Sequence, residues 1–464
     1  MSLDDGSQLD VFGGIAYAGA YGDSPSTAFG TYDGGYVTVW AGDEGQGQGI
    51  YSQHFSADGT ANGSPALLTD PSLQSGYSPS VAVSGDGMSF AVTWVAYSAG
   101  ASYEIYAEAF YLDGTPIYWM PSMIGSSTGA RPTIVADPAL AGYAAVWTAY
   151  DTAGTGSDVY VRRLNYYADP TGNAVQVNAD SDNYRYLATS GKAAGADAAG
   201  NLVVAWQDGS GPYGVPQLKG RVLDVFNQPR TGEFLIAEAQ SYMGGAAAVS
   251  VDAATGNFVA VWDELTSDGT AADVYVQRYN ALAAPLGERQ QVNSSAGMNH
   301  SPAVAFDGEQ RIGVTWTTYD ENGGTRIQAR WFDAAGEPAT DEVLVNAVVG
   351  TGYGYGNSAI AADASGNFAV AWSVQNTGTT SDHVFQRQYS LETIDVFTEI
   401  TVSQNTAPVV IDLRQYFDGN ESLTFTLEGN DNEALTFGTI DGWLLTLDVT
   451  ADLSGLAGLT IRGT

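Results

Sequence analysis

The residues of this chain that could do chemistry fall into two sets of short segments. The first set is acidic: AGDEGQGQG with Asp43 and Glu44, AYDTAGTGSD with Asp151 and Asp158, DELTSDGTAAD with Asp263, Glu264, Asp268 and Asp273, and TYDENGG with Asp320 and Glu321. The second is aromatic: Tyr17 and Tyr21, Tyr77, Tyr184 and Tyr186, Tyr242, and Tyr353 and Tyr355, with Asn299 and His300 standing at the equivalent place once. Carboxylates set among glycine carbonyls are the hard oxygen donors that Ca²⁺ takes. DELTSDGTAAD is the best such segment, and Asp263, Asp268 and Asp273 are the expected metal ligands. No segment has the full Asp-x-Asp-x-Asp-Gly spacing of an EF-hand loop. Tyrosine rings beside carboxylates suit stacking on the apolar faces of sugars, and tyrosine is also enriched where proteins meet. The expected ligand-binding residues are therefore Tyr21, Tyr77, Tyr184, Tyr186, Tyr242, His300, Tyr353 and Tyr355. The plainer alternative is that these rings pack on one another and the acidic residues only solubilise.

Readings as an enzyme have less behind them. There are three histidines, His54, His300 and His383, and no cysteine. The lack of cysteine excludes disulfides, zinc fingers and thiol nucleophiles. No Gly-x-Ser-x-Gly elbow, His-Glu-x-x-His pair or phosphate-cradling glycine loop occurs, and no organic cofactor is expected. A carboxylate pair for glycoside hydrolysis would leave no sequence signature. A polysaccharide hydrolase or lyase thus stands as the alternative to a non-catalytic binding or adhesion module, with a structural spacer as the third reading.

Charge narrows the partners. Fifty-two acidic residues against sixteen basic give a net charge of −36, and the only lysines are Lys192 and Lys219. Such a field repels phosphate backbones and anionic membranes, which argues against nucleic acid. No run of apolar residues is long enough for a transmembrane helix, so membrane insertion is not expected. The expected partner is a glycan or an extracellular protein.

The elements that must position these segments come from a repeat. The phrase DAAGNLVVAW at 197–206 returns as DAATGNFVAVW at 252–262 and DASGNFAVAW at 363–372, and its tryptophan recurs as Trp40, Trp94, Trp147, Trp206, Trp262, Trp316 and Trp372. The spacings are 53 to 59 residues. Each repeat contains four strand-like runs with period-2 alternation, separated by Gly, Asp, Asn and Pro turns, which reads as one propeller blade. The second run ends at the tryptophan. The fourth lies a fixed 13 residues beyond the end of the third, at Leu68, Met123, Val177, Ile236, Val292, Val345 and Val402. The 57 glycines suit turns and strands rather than helices. The expected fold is all-β: a seven-bladed β-propeller of four-stranded blades over 1–393, a closing strand or linker at 394–404, and a short or truncated β-sandwich segment at 405–464.

Asp-x-x-Gly-Asn falls between the first and second strands, where a hairpin needs a left-handed residue, so it reads as a turn and not as a ligand site. The tryptophan that follows reads as packing. LDVFGGIA at 9–16 and IDVFTEIT at 394–401 compete for the outer strand of the last blade. The N-terminal copy within 9–17 is favoured, because it would close the ring and remove an edge. Loops joining strands two and three share a face with loops entering strand one, so the acidic and aromatic sets meet there. The opposite face carries compact, architectural turns.

Two resemblances add context. Blocks such as SPAVAFDGEQRIGVTWTTYDENGGTRIQARWFDAAGEPATDEVLVN at 301–346 resemble repeats of large secreted RTX-like bacterial proteins, although the nonapeptide calcium repeat is absent. Asn405-Thr-Ala-Pro408, DLRQYF at 412–417, LTFTLEG at 423–429 and LTIRGT at 459–464 resemble the opening of a bacterial cadherin-like module. The resemblances imply an excerpt of a longer secreted or cell-surface bacterial protein with adhesin-like roles.

Overall fold

The structure is a computed structural model. It describes residues 2–5, 9–13, 25–43, 48–69, 76–97, 103–118, 120–127, 131–150, 156–179, 183–188, 191–209, 216–238, 247–266, 269–319, 325–346, 353–354, 357–376, 382–392, 409–413, 425–430, 436–449 and 459–463. The described residues are all-β, with no α-helix and hence none able to span a membrane. The chain divides into two compact units, residues 6–388 and residues 1–5 with 389–464.

Unit 6–388 is a propeller-like arrangement of small antiparallel sheets. The Trp94 sheet is typical. Gly76–Val83, Ser89–Tyr97, Tyr103–Tyr111 and Ser122–Ser127 pair in sequence order, as hairpins must. Among the described residues, hydrogen bonding groups the repeats into five separate sheets of four to six strands and one of eight. Seven separate sheets, the sequence expectation, are therefore not what forms. The Trp262 and Trp316 repeats are joined by one parallel pair, Ala272 with Met298. The reason is local: Asn299 Nδ2 donates to Ala272 O at 3.0 Å, while Ala272 N donates to Gly297 O at 3.1 Å, drawing the two edges together.

The core is built from the repeated tryptophan and its cross-strand partner. All seven repeated tryptophans are buried. Trp40 stacks on Tyr51, Trp94 on Tyr106, Trp147 on Tyr160, Trp262 on Tyr275 and Trp372 on Phe385, at centroid distances of 5.8–6.2 Å and interplanar angles of 20–25°. Offset stacking of this kind adds about 0.5–1.5 kcal/mol per pair beyond burial. The Asp-x-x-Gly-Asn turn is architectural, as its sequence implied. Asp197 Oδ1 accepts from Ala199 N and Asn201 N at 2.9 and 2.8 Å, and Gly200 takes φ +78°. Asp363 repeats this at Ser365 and Asn367. A side chain at Gly200 would be strained by φ and would meet Asp137, Ala139 and Val225 at 2.9 Å.

First and last repeats meet. Gln388 Nε2 donates to Ala57 O at 2.7 Å, and Tyr36, Trp40, Tyr51 and Phe55 share one buried cluster with Ala369 and Val384. Strand Leu9–Gly13 pairs antiparallel with His383–Gln386 of the third strand of the Trp372 repeat. The competing segment 394–403 lies outside the described residues.

In the second unit, Ser2–Asp5 pairs with Tyr389–Glu392. The C-terminal strands form a three-stranded sheet of Val409–Asp412, Leu444–Val449 and Thr436–Asp441, and a two-stranded sheet of Phe425–Asn430 with Leu459–Gly463. Among the described residues these are two small sheets, and the expected β-sandwich is not shown.

Candidate functional site

Tyr184 and Tyr186 have the clearest setting among the expected ligand-binding residues. Arg185–Tyr186 forms a two-residue strand against Gln207 and Asp208. Alternation sends both tyrosines outward, 47% and 48% exposed, and sends Arg185 fully inside. Arg185 Nη1 donates to Asn183 O at 2.9 Å and reaches Asp158 Oδ1 at 3.4 Å, while Nε lies 3.8 Å from Asp208 Oδ2. Arg185 N donates to Ser157 Oγ at 2.8 Å, and that hydroxyl donates back to Arg185 O at 2.9 Å. The tyrosine pair is therefore carried by a strand locked from beneath.

The lock extends into the next hairpin. Lys219 faces Trp206 at the register position where five other repeats place an aromatic ring. Its Nζ donates to Asp208 Oδ2 at 2.8 Å and lies 3.7 Å from Glu233 Oε2. Asp208 is fully buried, so two cations close to it are what make its charge tolerable. Sequence reasoning placed Tyr184 and Tyr186 but missed Arg185, Asp208 and Lys219. The available signal was that Lys219 departs from the aromatic pattern of its third strand.

Tyr77 belongs to a second aromatic group. It meets Tyr103 edge-on at 6.3 Å, and Tyr103 lies 5.2 Å from Tyr97, which is exposed. These rings stand at the start of a first strand, the end of a second and the start of a third, which is the loop face expected to bind. His300 stacks on Tyr319 at 4.6 Å, and its Nδ1 lies 3.0 Å from Ser301 Oγ. Burial lowers the His300 pKa to about 4. Neighbouring Asn299 is fully buried and serves structure: its Oδ1 accepts from Trp316 Nε1 at 3.2 Å and Thr318 Oγ1 at 2.6 Å. Tyr353 pairs with Asn376 through its backbone. Tyr21, Tyr242 and Tyr355 lie outside the described residues.

Of the three expected metal ligands, Asp268 lies outside the described residues. Asp263 is buried in strand Phe258–Leu265, and Asp273 pairs with Glu264 across the hairpin. Asp273 Oδ1 accepts from Asn293 Nδ2 at 2.9 Å, just as Asp158 accepts from Asn178 at 2.8 Å. The two asparagines also cap the third strand, accepting from Val274 N at 2.7 Å and Val159 N at 2.8 Å. Glu264 accepts from Arg289 Nη1 and Trp262 Nε1 at 2.6 and 2.9 Å. Among the described residues no three His, Asp or Glu side chains gather as a metal site.

The opposite face is architectural in its turns but not bland. Tyr167, Phe226 and Leu282 occupy the same turn position in three successive repeats and are 48%, 75% and 60% exposed. Each turn is headed by an Asn or Asp whose side chain accepts from the backbone two and four residues on.

No protein-family profile and no curated protein matches the chain, so the RTX-like and cadherin-like resemblances gain no support there. Solved structures do match. A protein of unknown function from Dyadobacter fermentans is 12% identical, with 84% of this chain and 98% of that chain covered and a TM-score of 0.44. A fungal alcohol oxidase in complex with copper is 11% identical, covering 96% and 92%, with a TM-score of 0.47. A Hadza microbial sialidase is 12% identical, covering 79% and 65%, with a TM-score of 0.43. Likenesses of this size assign no activity to the chain.

Proposed function

We propose that the chain is a non-catalytic binding module whose tyrosine-bearing loop face takes a glycan or an extracellular protein. The observation that carries this reading is the pair Tyr184 and Tyr186, held out to solvent by a strand whose intervening Arg185 is buried in an ion network. Ordered, exposed rings cost little entropy on binding, which is the economy that aromatic recognition surfaces exploit. Tyr77, Tyr97 and Tyr103 extend the same face. In this reading the two four-stranded halves of the eight-stranded sheet act as separate blades, so the ring has seven, and Leu9–Gly13 completes the last. Residues 1–393 then form the propeller, 394–404 a linker and 405–464 a partial cadherin-like module of a secreted or surface bacterial protein.

A glycan array run in calcium and in chelator tests the reading, with Tyr184→Ala/Tyr186→Ala as the control. The expected result is a hit lost in the double variant at an unchanged melting temperature. A hit that survives the double variant sinks the assignment of this face. Sustained release of reducing sugar from a bound polysaccharide would replace it with the hydrolase or lyase reading.

A further inference from the structure

The first repeat closes its outer hairpin differently from the others. Five repeats place a proline opposite the end of the third strand: Pro116, Pro170, Pro229, Pro285 and Pro338. The first repeat puts Ala61 there, opposite Phe55. In the five, the next residue is Ile117, Thr171, Arg230, Leu286 or Ala339, so the fold accepts very different side chains at this position. In the first repeat it is Asn62, followed by Gly63. A side-chain amide placed before a residue without a Cβ can be attacked by its own backbone with little steric hindrance.

Asn62 sits in a chain of polar side chains. His54 Nε2 lies 3.3 Å from Asp33 Oδ1, and His54 Nδ1 lies 3.3 Å from Asn62 Nδ2. Ser56 Oγ lies 2.8 Å from the same Nδ2 and 3.1 Å from Asn62 Oδ1. Asp33 Oδ1 is itself fixed by Thr31 Oγ1 and Gly35 N, at 2.6 and 3.2 Å. With Asp33 taking the Nε2 proton, the Nδ1 lone pair faces Asn62. His54 is buried, whereas Asn62 and Gly63 are exposed, so water reaches the amide. The ladder with the third strand shifts register just past Asn62, whose carbonyl accepts from Gln53 Nε2 at 2.9 Å. Gly63 stands in that irregularity at φ +77°, with nothing within 4 Å of where a Cβ would be. The peptide between them is therefore held less tightly than one in a regular ladder.

We infer that Asn62 is a self-modifying site, converted to aspartate and isoaspartate by the backbone of Gly63. Gly63 N attacks Asn62 Cγ, the N–Cγ bond forms and the Cγ–Nδ2 bond breaks. Ammonia departs with the Gly63 amide proton as its third hydrogen. Water then opens the five-membered imide at either carbonyl. His54 Nδ1 is positioned to relay the proton to the departing Nδ2, and Ser56 Oγ to donate to Oδ1 as negative charge gathers there. The product sets a second carboxylate beside His54, in the hairpin whose Ala57 carbonyl receives Gln388 of the last repeat. Its isoaspartate form also lengthens the backbone of the outer strand by a methylene. The site stands on residues separate from the exposed tyrosines, so either can fail without the other.

The test is peptide mass spectrometry with isoaspartate detection on the full chain, aged at neutral pH either native or unfolded in urea. His54→Gln removes the relay and Ser56→Ala the hydroxyl. Ser56→Ala is the milder change and is read alone should His54→Gln not fold. Asn322-Gly323, the other Asn-Gly pair of the chain, is the reference within each sample. The expected result is conversion at Asn62 that is faster in the native chain than in urea. Each variant should slow it by about tenfold and leave Asn322 unaltered. Slowing by only one variant would keep the site and name the group that acts. Conversion at Asn62 no faster in the native chain than in urea, or unaltered by the variants, overturns the inference and leaves Asp33, His54 and Asn62 as a structural chain across the hairpin.

Discussion

Arg163 Nη1 lies 2.7 Å from Asp137 Oδ2, and the two side chains are only 6% and 0% exposed. The same guanidinium donates through Nε to Asn227 Oδ1 at 2.8 Å and through Nη2 to Gly200 O and Asp224 O at 3.0 Å. One arginine thus fastens a turn of its own repeat to two turns of the next. Removing it as Arg163→Met strands a buried carboxylate, for which a loss of about 3–5 kcal/mol is expected. Asp137→Asn combined with Arg163→Met should cost clearly less. Denaturant unfolding decides it: a single-variant loss under about 1 kcal/mol would show that the bond fastens nothing.

Glu108 stands two residues beyond the tryptophan's partner on its third strand, where Gln53 and Gln277 stand on theirs. Both glutamines donate to carbonyls, Gln53 to His54 O and Asn62 O, Gln277 to Arg278 O and Gly287 O, at 2.9–3.2 Å. A carboxylate cannot donate, and burial pushes Glu108 up to about 7. With the folded pKa above the unfolded one, stability is full below about pH 4.5, declines to about pH 7 and is flat beyond. Glu108→Gln should therefore raise stability at pH 8 by on the order of 2 kcal/mol and leave it nearly unchanged at pH 4.5. A gain of equal size at both pH values would show that ionisation is not the cause.

His300 is lowered to about 4 by burial, so it folds neutral. The sign is opposite to that of Glu108: stability is full above the ordinary histidine range and declines as pH falls from about 6.5 towards 4. Proton NMR should show the His300 ring still neutral at pH 5.5, and His300→Gln should remove that signal. A His300 midpoint near 6.5 would mean that the Tyr319 stack opens in solution.

Lys219→Tyr restores the aromatic partner that other repeats give their tryptophan, yet it should destabilise. Asp208, fully buried, would lose its ammonium partner, a cost of about 2–4 kcal/mol that Asp208→Asn should largely relieve. Should Lys219→Tyr stabilise the chain on its own, stacking would outweigh the ion network.

What could be read from sequence was the periodic part. Trp94, Trp147 and Trp262 announced both the period and the strand that carries them, because cross-strand stacking constrains the same residue type every time. The turn at Asp197 was legible for a similar reason: its bonds close within five residues. The Trp262–Trp316 sheet fusion was not legible, since it depends on Asn299 reaching the edge of the preceding repeat. Nor was the support beneath Tyr184 and Tyr186, which brings Asp158, Arg185, Asp208 and Lys219 together from three hairpins. Arg185 and Lys219 break the period, and a reading that averages over repeats discards them. Glu108 belongs to the same class.

The bond from Gln388 to Ala57 spans 331 residues, and the cluster around Tyr36 and Trp40 is completed by Ala369 and Val384. During synthesis the first hairpins therefore wait for the last before their apolar flank is covered. Loop closure over that span must precede its reward, so the late step of folding is the docking of the Trp372 repeat, and the chain is most open to chaperones and proteases just before it.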